Sequence, residues 1–212
     1  MKKTNKPVWF CVGIITLVVV GLVGGAPAHA ATSANSTLSQ NITAGALSTD
    51  IRDGSNAIVA SPTFTLSSVT ASTGAQTSTG SFGSSSQRIS VDNPGGANNG
   101  WTLALNATVP GTSKWTSGAN NYSYNGTAAA GQLTVNPAAG TITPIIGSTT
   151  GITLGTSAAF SASTPITLAA AASTSDDIWN GYLTGIGLSQ TIPAGQAIGT
   201  YTLPVTQTVT AQ

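Results

Sequence analysis

Apolar residues recur at every second position in the stretch that follows a run of Asn, Pro and Gly at residues 93–100, and this pattern constrains the fold most. In a strand, alternate side chains point to the same face of the sheet. The residues that would share the apolar face are Trp101, Leu103, Leu105, Ala107 and Val109. The pattern predicts a half-buried strand that begins directly after a turn.

Shorter stretches of the same kind recur along the chain, with Thr, Val, Ile and aromatic residues bounded by Gly, Pro and Asn. They span residues 40–51, 61–69, 87–96, 131–137, 140–146, 184–195 and 199–212, with weaker ones at 151–155 and 164–170. No segment has a sustained 3.6-residue apolar period, and only the Ala-rich part of residues 160–179 allows a helical turn. Many short alternating strands predict an all-β fold, a single antiparallel β-sandwich domain of immunoglobulin-like or jelly-roll-like type.

The first thirty residues predict export. A start with three lysines in six residues precedes the apolar run 7–25 and the small-x-small site Ala28-His29-Ala30, which is the layout of a secretory signal peptide. An uncleaved membrane anchor is the alternative, but the run is slightly shorter than the roughly 20 apolar residues that a span needs. We therefore expect a signal peptide at residues 1–30, a mature domain at residues 31–212, and no membrane association after cleavage.

Removal of the leader would leave a chain with few charges and no thiol. The only Cys and the only His of the sequence are Cys11 and His29, both within the leader. Three basic residues would then face five aspartates and no Glu, which gives a formal charge of −2. Nucleic-acid binding is excluded by the lack of a basic patch, and the exported core would have to hold without disulfides.

The same composition argues against catalysis. Nucleophilic catalysis of the Ser-His-Asp or Cys-His kind needs a base that the mature chain lacks, and zinc sites built from His and Cys are excluded for the same reason. Asp176 and Asp177 are favoured as part of a solvated loop. The segment 50–56 lacks the acidic spacing of a calcium loop and is favoured as a turn. We expect a protein that is not an enzyme and that has no cofactor or metal.

Aromatic residues are the best candidates for binding. Two long loops are predicted, at residues 70–87 and 111–131, and the second carries Trp115, Tyr122 and Tyr124 in a setting typical of exposed side chains. Such rings could stack on the apolar faces of sugars. Trp101 is favoured as a core residue, and Trp179 is balanced between core and surface.

Three stretches resemble the WxL-domain (Trp-x-Leu) surface proteins of low-GC Gram-positive bacteria. "ISVDNPGGANNGWTLALNATV" resembles the first signature of that family, "ITAGALSTDI" its early strand, and "TIPAGQAIGTYTLPVTQTV" its closing pattern. The resemblance runs from about Leu38 to Val209. It implies a secreted β-rich domain attached non-covalently to the cell wall, with peptidoglycan as the usual ligand. Trp101 and Leu103 match the first Trp-x-Leu, whereas Gln207 stands where the second Trp belongs.

Two functions from different classes follow. The first is a non-catalytic, secreted cell-surface protein that binds peptidoglycan or a surface polysaccharide, with candidate binding residues Trp101, Leu103, Trp115, Tyr122, Tyr124 and Trp179. The alternative is a structural subunit of an extracellular fibre, assembled by β-strand addition to copies of itself or to other surface proteins. The alternating segment 37–51, the low charge and a last strand that runs to Gln212 indicate the alternative.

Overall fold

The structure is a computed structural model that describes residues 35–161 and 163–212. The predicted signal peptide therefore lies outside the described residues. The chain forms two units, Met1–Asn41 and Ile42–Gln212. In the first unit, the described residues 35–41 contain neither helix nor strand. No helix among the described residues is long and apolar enough to cross a membrane.

The second unit is built almost wholly from strands. In the described residues the regular elements are a 3₁₀ turn at Pro137–Ala139 and the strands β1 Ser48–Arg52, β2 Gln76–Phe82, β3 Arg88–Pro94, β4 Trp101–Ala107, β5 Trp115–Ser117, β6 Asn120–Tyr122, β7 Leu133–Asn136, β8 Thr141–Ile146, β9 Ile152–Leu154, β10 Ala158–Ala159, β11 Ile166–Ala171, β12 Ile178–Thr184, β13 Ile186–Ile192 and β14 Val205–Ala211.

All pairings between these strands are antiparallel. Three four-stranded sheets have the orders β1-β3-β12-β8, β10-β7-β13-β2 and β14-β4-β11-β9, and β5 and β6 form a separate hairpin. The first of these is called sheet A, the second sheet B and the third sheet C below. The sheets pack together as an all-β sandwich, which confirms the predicted fold class.

The strand predicted at Trp101 is β4, a central strand of sheet C. Trp101, Leu103, Leu105 and Ala107 are buried, as the alternation predicts. Gly100 sets the start of the strand, because its positive φ of 98° ends the turn and a Cβ there would collide with the carbonyl of Ala171. Val109 departs from the prediction: the strand ends at Ala107, and Val109 is 56% exposed.

Opposite this core lies sheet A, whose strand β12 the sequence patterns missed. Trp179 and Leu183 of β12 are fully buried, as are Ile89 and Val91 of β3. The Trp179 ring lies across Gly181, where an added Cβ would approach the ring to 2.5 Å. The sequence pattern for β12 was weak because Asn180 and Gly181 interrupt the run of β-favouring residues.

Several sequence predictions are wrong in detail. The predicted loop 70–87 contains β2, whose small residue Ser78 is buried and donates its hydroxyl to the Ser67 carbonyl. The segment 61–69 forms one bridge, Leu66 with Gly80, rather than a strand. Of the early stretch 40–51, only its end joins β1. In the Ala-rich stretch the weak strand predicted at residues 164–170 is confirmed as β11, and the helical turn is wrong there, because these residues are buried against β4 and this packing overrides helix propensity.

Candidate functional site

Trp101 and Leu103, the residues that match the family motif, form part of the packed core. Both side chains are completely buried. The ring of Trp101 packs against that of Trp179, with centroids 5.4 Å apart and planes tilted by 41°. Trp179 donates its indole N–H to the carbonyl of Ser148 at 2.8 Å. A ring without exposed surface cannot stack on a sugar, so in this structure Trp101, Leu103 and Trp179 stabilise the sandwich.

Gln207, at the position expected for a second Trp, lies on β14 opposite Leu105. Its Nε2 donates to Thr49 Oγ1 of β1 at 2.8 Å, so this amide links sheet C to sheet A. Thr49 in turn donates to the Ser90 carbonyl at 2.7 Å. Gln207 therefore joins two sheets by a polar contact at a place where an indole would be larger and apolar.

Tyr124, like Tyr122, was expected to be exposed, and that expectation is wrong for both. Its side chain is fully buried, edge-on to Phe160 with ring centroids 5.3 Å apart. The chain around it folds back onto sheet B, since Leu133 N–H donates to the Tyr124 carbonyl at 2.6 Å and Asn125 pairs with Gln132. Most of the predicted 111–131 loop is thus held by backbone hydrogen bonds.

The other two aromatic residues of that loop meet a third from the C-terminal part of the chain. Trp115 and Tyr122 face each other across the β5–β6 hairpin, with centroids 6.1 Å apart and planes only 13° from parallel. The ring of Tyr201 lies 5.1 Å from that of Tyr122, tilted by 58°. Trp115 and Tyr201 are half-buried, and Tyr122 is 9% exposed.

This aromatic cluster is held firmly in place. Trp115 donates its indole N–H to Gln190 Oε1 at 2.7 Å, and Gln190 is itself 1% exposed. Its amide also donates to the carbonyls of Ser123 and Thr191, so one buried glutamine fixes the hairpin against β13. Thr116 exchanges two backbone hydrogen bonds with Thr202. This pairing places the preceding residue, Tyr201, beside the cluster.

Tyr122 and Tyr201 form one wall of a cleft of about 130 Å³, here called the aromatic cleft. Its other lining residues are Val69, Ala71, Ser72, Gln76, Ile192, Pro193, Gln196, Ala197, Ile198 and Gly199. Gln196 Nε2 donates to the Tyr201 hydroxyl at 2.7 Å, and that hydroxyl donates to the Ala197 carbonyl at 2.9 Å. Ile198 is 89% exposed. The lining combines aromatic and aliphatic surface with amides and hydroxyls and holds no charged residue.

The phenol of Tyr122 is harder to ionise in the cleft than in water. Burial of the phenol, with a smaller contribution from the neighbouring Tyr201, raises the pKa of Tyr122 to about 12. The ionised form of a phenol loses hydration on burial, and a neighbouring phenolate would add repulsion. The Tyr122 phenol therefore stays neutral over a wider pH range than a free phenol, and the cleft lining contains no charged side chain.

Nothing in the described part of the chain provides a metal centre, since no group of three or more His, Cys, Asp or Glu residues lies together there. A second hollow, of about 270 Å³, is lined by Thr156, Ala158, Ala159, Ser161, Thr164, Pro165, Ile166 and Thr167. Its lining residues include no aromatic ring and no titratable side chain, so they offer neither an aromatic stacking surface nor a group for acid-base chemistry.

Sequence reasoning singled out Trp115 and Tyr122 but missed Tyr201, Gln196 and Ile198. The stretch from Pro193 to Tyr201 was read only as part of a family pattern and a strand. The signal that could have found it is an exposed isoleucine and a tyrosine in a Gly-rich connection, which is where binding residues concentrate.

No protein-family model matches the chain, and no similar curated protein or solved structure was found.

Proposed function

We propose that this protein is a non-catalytic cell-surface protein that binds a cell-wall glycan, the polysaccharide strand of peptidoglycan or another surface polysaccharide, through the aromatic cleft. The observation that carries the proposal is the pair of rings, Tyr122 and Tyr201, in an uncharged cleft lined by glutamine amides. Residence at the cell surface rests on the leader sequence at residues 1–30.

The cleft suits a sugar better than a charged or purely apolar ligand. A pyranose presents an apolar face of C–H groups and a rim of hydroxyls, so it needs a ring to stack on and neutral donors and acceptors beside it. Ligand sites typically combine apolar and aromatic surface with a few fixed polar groups. Gln196 and Tyr201 are already hydrogen-bonded to each other, which holds both polar groups in place before a ligand arrives.

The small volume limits what the cleft can enclose. Drug-sized ligands commonly occupy pockets of about 300–1,000 Å³, whereas this cleft holds about 130 Å³. One sugar unit lying across the rim, against Tyr201 and the exposed Ile198, is the arrangement that fits. A polymer that offers many such units to many protein copies would gain affinity through multivalency.

The resemblance to WxL-domain proteins also supports wall binding, and it stays a prediction. Its best match, Trp101 with Leu103, is buried in the core. The proposal therefore places ligand contact at the aromatic cleft and gives the Trp-x-Leu pair a packing role.

The test is co-sedimentation of the mature protein with purified sacculi and with wall polysaccharide. We expect Tyr201→Ala and Ile198→Ser each to weaken binding by about tenfold, or about 1.4 kcal/mol. The matched control is Ile178→Ser, because Ile178 is 60% exposed and does not line the cleft. Wild-type protein that stays in the supernatant, or equal loss in the control, contradicts the proposal.

A further inference from the structure

Residues Asn35–Thr43, here called the N-terminal segment, contain no helix or strand, and their side chains are exposed. The first backbone hydrogen bond of the strand unit is from Gly45 N–H to the Pro94 carbonyl, after the end of the segment. Leu38 is 98% exposed and Ile42 86%. The backbone and the two large aliphatic side chains of the segment are therefore open to pairing with another chain.

The pattern of the segment suits a strand. Leu38 and Ile42 are four residues apart and would lie on one face of it, while Thr37, Ser39, Asn41 and Thr43 would lie on the other. The segment carries no charge and no proline. Its nine residues would extend to roughly 30 Å as a strand.

The outer edge of β14 offers backbone groups of the same kind. Thr108 N–H donates to the Pro204 carbonyl, and Gln212 N–H donates to the Gly100 carbonyl. Positions 204 and 212, and by two-residue alternation 206, 208 and 210, therefore face β4. The N–H and C=O groups of Val205, Gln207, Val209 and Ala211 face away from it, and no backbone partner for them is found among the described residues.

This edge also lacks the features that usually prevent strand addition. Proteins protect exposed edges with charges, prolines, bulges or very short strands, and β14 has seven residues with the sequence VTQTVTA. Its register with β4 is regular over all seven. The single contact with β1 that involves side-chain hydrogen bonding is the Gln207–Thr49 bond, which leaves the outward backbone groups unpaired.

The other sheet edges of the described chain are less suitable. Residues 57–59 bond to the C-terminal end of β1, and Ser67 bonds to Thr79 of β2. Pro144 interrupts β8, and β9 and β10 have three and two residues. The outer edge of β14 is therefore the longest open one.

We propose that the N-terminal segment of one copy adds as a strand to the outer edge of β14 in a second copy of this chain. The segment and the edge are both uncharged, and the segment is long enough to span the seven residues of β14, about 23 Å. Main-chain hydrogen bonds supply the affinity in this mode of recognition, and pockets for alternate side chains supply the specificity. The N-terminal segment and the β14 edge are different surfaces of the chain. Each copy can therefore insert its segment into one neighbour and bind the segment of another, so the contact propagates head to tail.

Cross-linking between two single-cysteine variants tests the contact directly. The sequence holds no cysteine after Cys11, so each variant of the mature chain carries one thiol. A tagged Ile42→Cys protein is mixed with Val205→Cys protein and treated with a short bis-maleimide. We expect a tagged mixed dimer, and at least tenfold less of it when Val205→Cys is replaced by Ile178→Cys, a more exposed site on sheet A. Equal yields with both partners overturn the proposal.

Charge substitution supplies the second measurement. Mature protein without any polysaccharide is followed by analytical ultracentrifugation and electron microscopy, so the result is independent of glycan binding. We expect species larger than the monomer, lost in Leu38→Asp/Ile42→Asp and in Val205→Lys/Ala211→Lys but kept in the control Ile146→Asp, which is 55% exposed on β8. Wild-type protein that is monomeric at all concentrations overturns the proposal. A doubly substituted Ile42→Cys/Val205→Cys chain that cross-links only within itself also overturns it, since the segment then covers its own edge.

Discussion

Two groups of aromatic residues in this protein use the same side chains in opposite ways. The core pair, Trp101 and Trp179, comes from facing sheets and has no exposed surface. The cleft group comes from a short hairpin and a connection; its members Trp115 and Tyr201 are half-buried, and Tyr122 is 9% exposed. Both groups have ring centroids between 5.1 and 6.1 Å apart, so ring geometry alone does not distinguish them.

What distinguishes the two groups is the element that carries them. A ring on a central strand of a sandwich is enclosed by the opposite sheet, whatever motif it belongs to. A ring on a hairpin or connection can keep part of its surface in solvent, as Trp115 and Tyr201 do, and its polar end needs a specific partner. Gln190, at 1% exposure, is that partner for Trp115. The role of an aromatic residue in such a chain therefore follows from its strand position more than from its local sequence.

Among the substitutions that distinguish the two groups, Trp101→Ala is expected to lower the free energy of unfolding most. Truncation of a fully buried Trp removes its burial and leaves a cavity, with a typical cost of about 3–5 kcal/mol in the free energy of unfolding. Denaturant-induced unfolding measures the loss. Ile146→Ala, at an exposed position, is the control and should change stability by less than about 0.5 kcal/mol. A loss for Trp101→Ala as small as that of the control would contradict its place in the core.

A smaller loss of stability is expected at Gly181, where the backbone lies against the Trp179 ring. A Cβ at Gly181 would come within 2.5 Å of the Trp179 ring and 2.7 Å of the Thr143 carbonyl. Gly181→Ala must move the ring, which costs about 1–3 kcal/mol. Gly187 of β13 is the matched control, since its Cβ would meet Asn136 at an ordinary 3.5 Å and should change stability by less than about 0.5 kcal/mol. Equal losses in thermal or denaturant unfolding would show that the Trp179–Gly181 contact does not set the packing.

The sequence was sufficient where apolar residues recur at every second position. It predicted β4 and its buried face from Trp101 to Ala107, and the all-β sandwich. It failed where burial depends on small or polar residues. β2 belongs to sheet B through its pairing with β13, and on its other side Ser78 and Gly80 bond to residues 66–67; such small and polar residues also occur in loops.

The candidate site could be predicted only in part, because its parts are far apart in the sequence. Trp115 and Tyr122 belong to one predicted loop, whereas Tyr201 and Gln196 are brought near them by the long-range Thr116–Thr202 pairing. Tyr124 belongs to the same loop but packs against Phe160 in the core instead. No local pattern separates Tyr122 from Tyr124, since the difference depends on which side of the returning chain each ring occupies.

The smallest expected effect is on the pH dependence of stability, and it comes from the ionisation of Tyr122. It leaves stability at neutral pH unchanged. Burial, together with Tyr201, raises its pKa to about 12, above the usual 10 of a phenol. The fold thus favours the neutral form. The stability that this contributes is fully present below pH 10 and is lost as the pH rises through about 12, because the unfolded chain releases the proton first. Ultraviolet absorbance of the phenolate, recorded for wild type and for Tyr122→Phe, should differ by one phenol that titrates near pH 12. A difference that titrates near pH 10 would mean that solvent reaches the Tyr122 hydroxyl freely. Tyr122 would then be an accessible ring of the aromatic cleft, like Tyr201, and not a covered one.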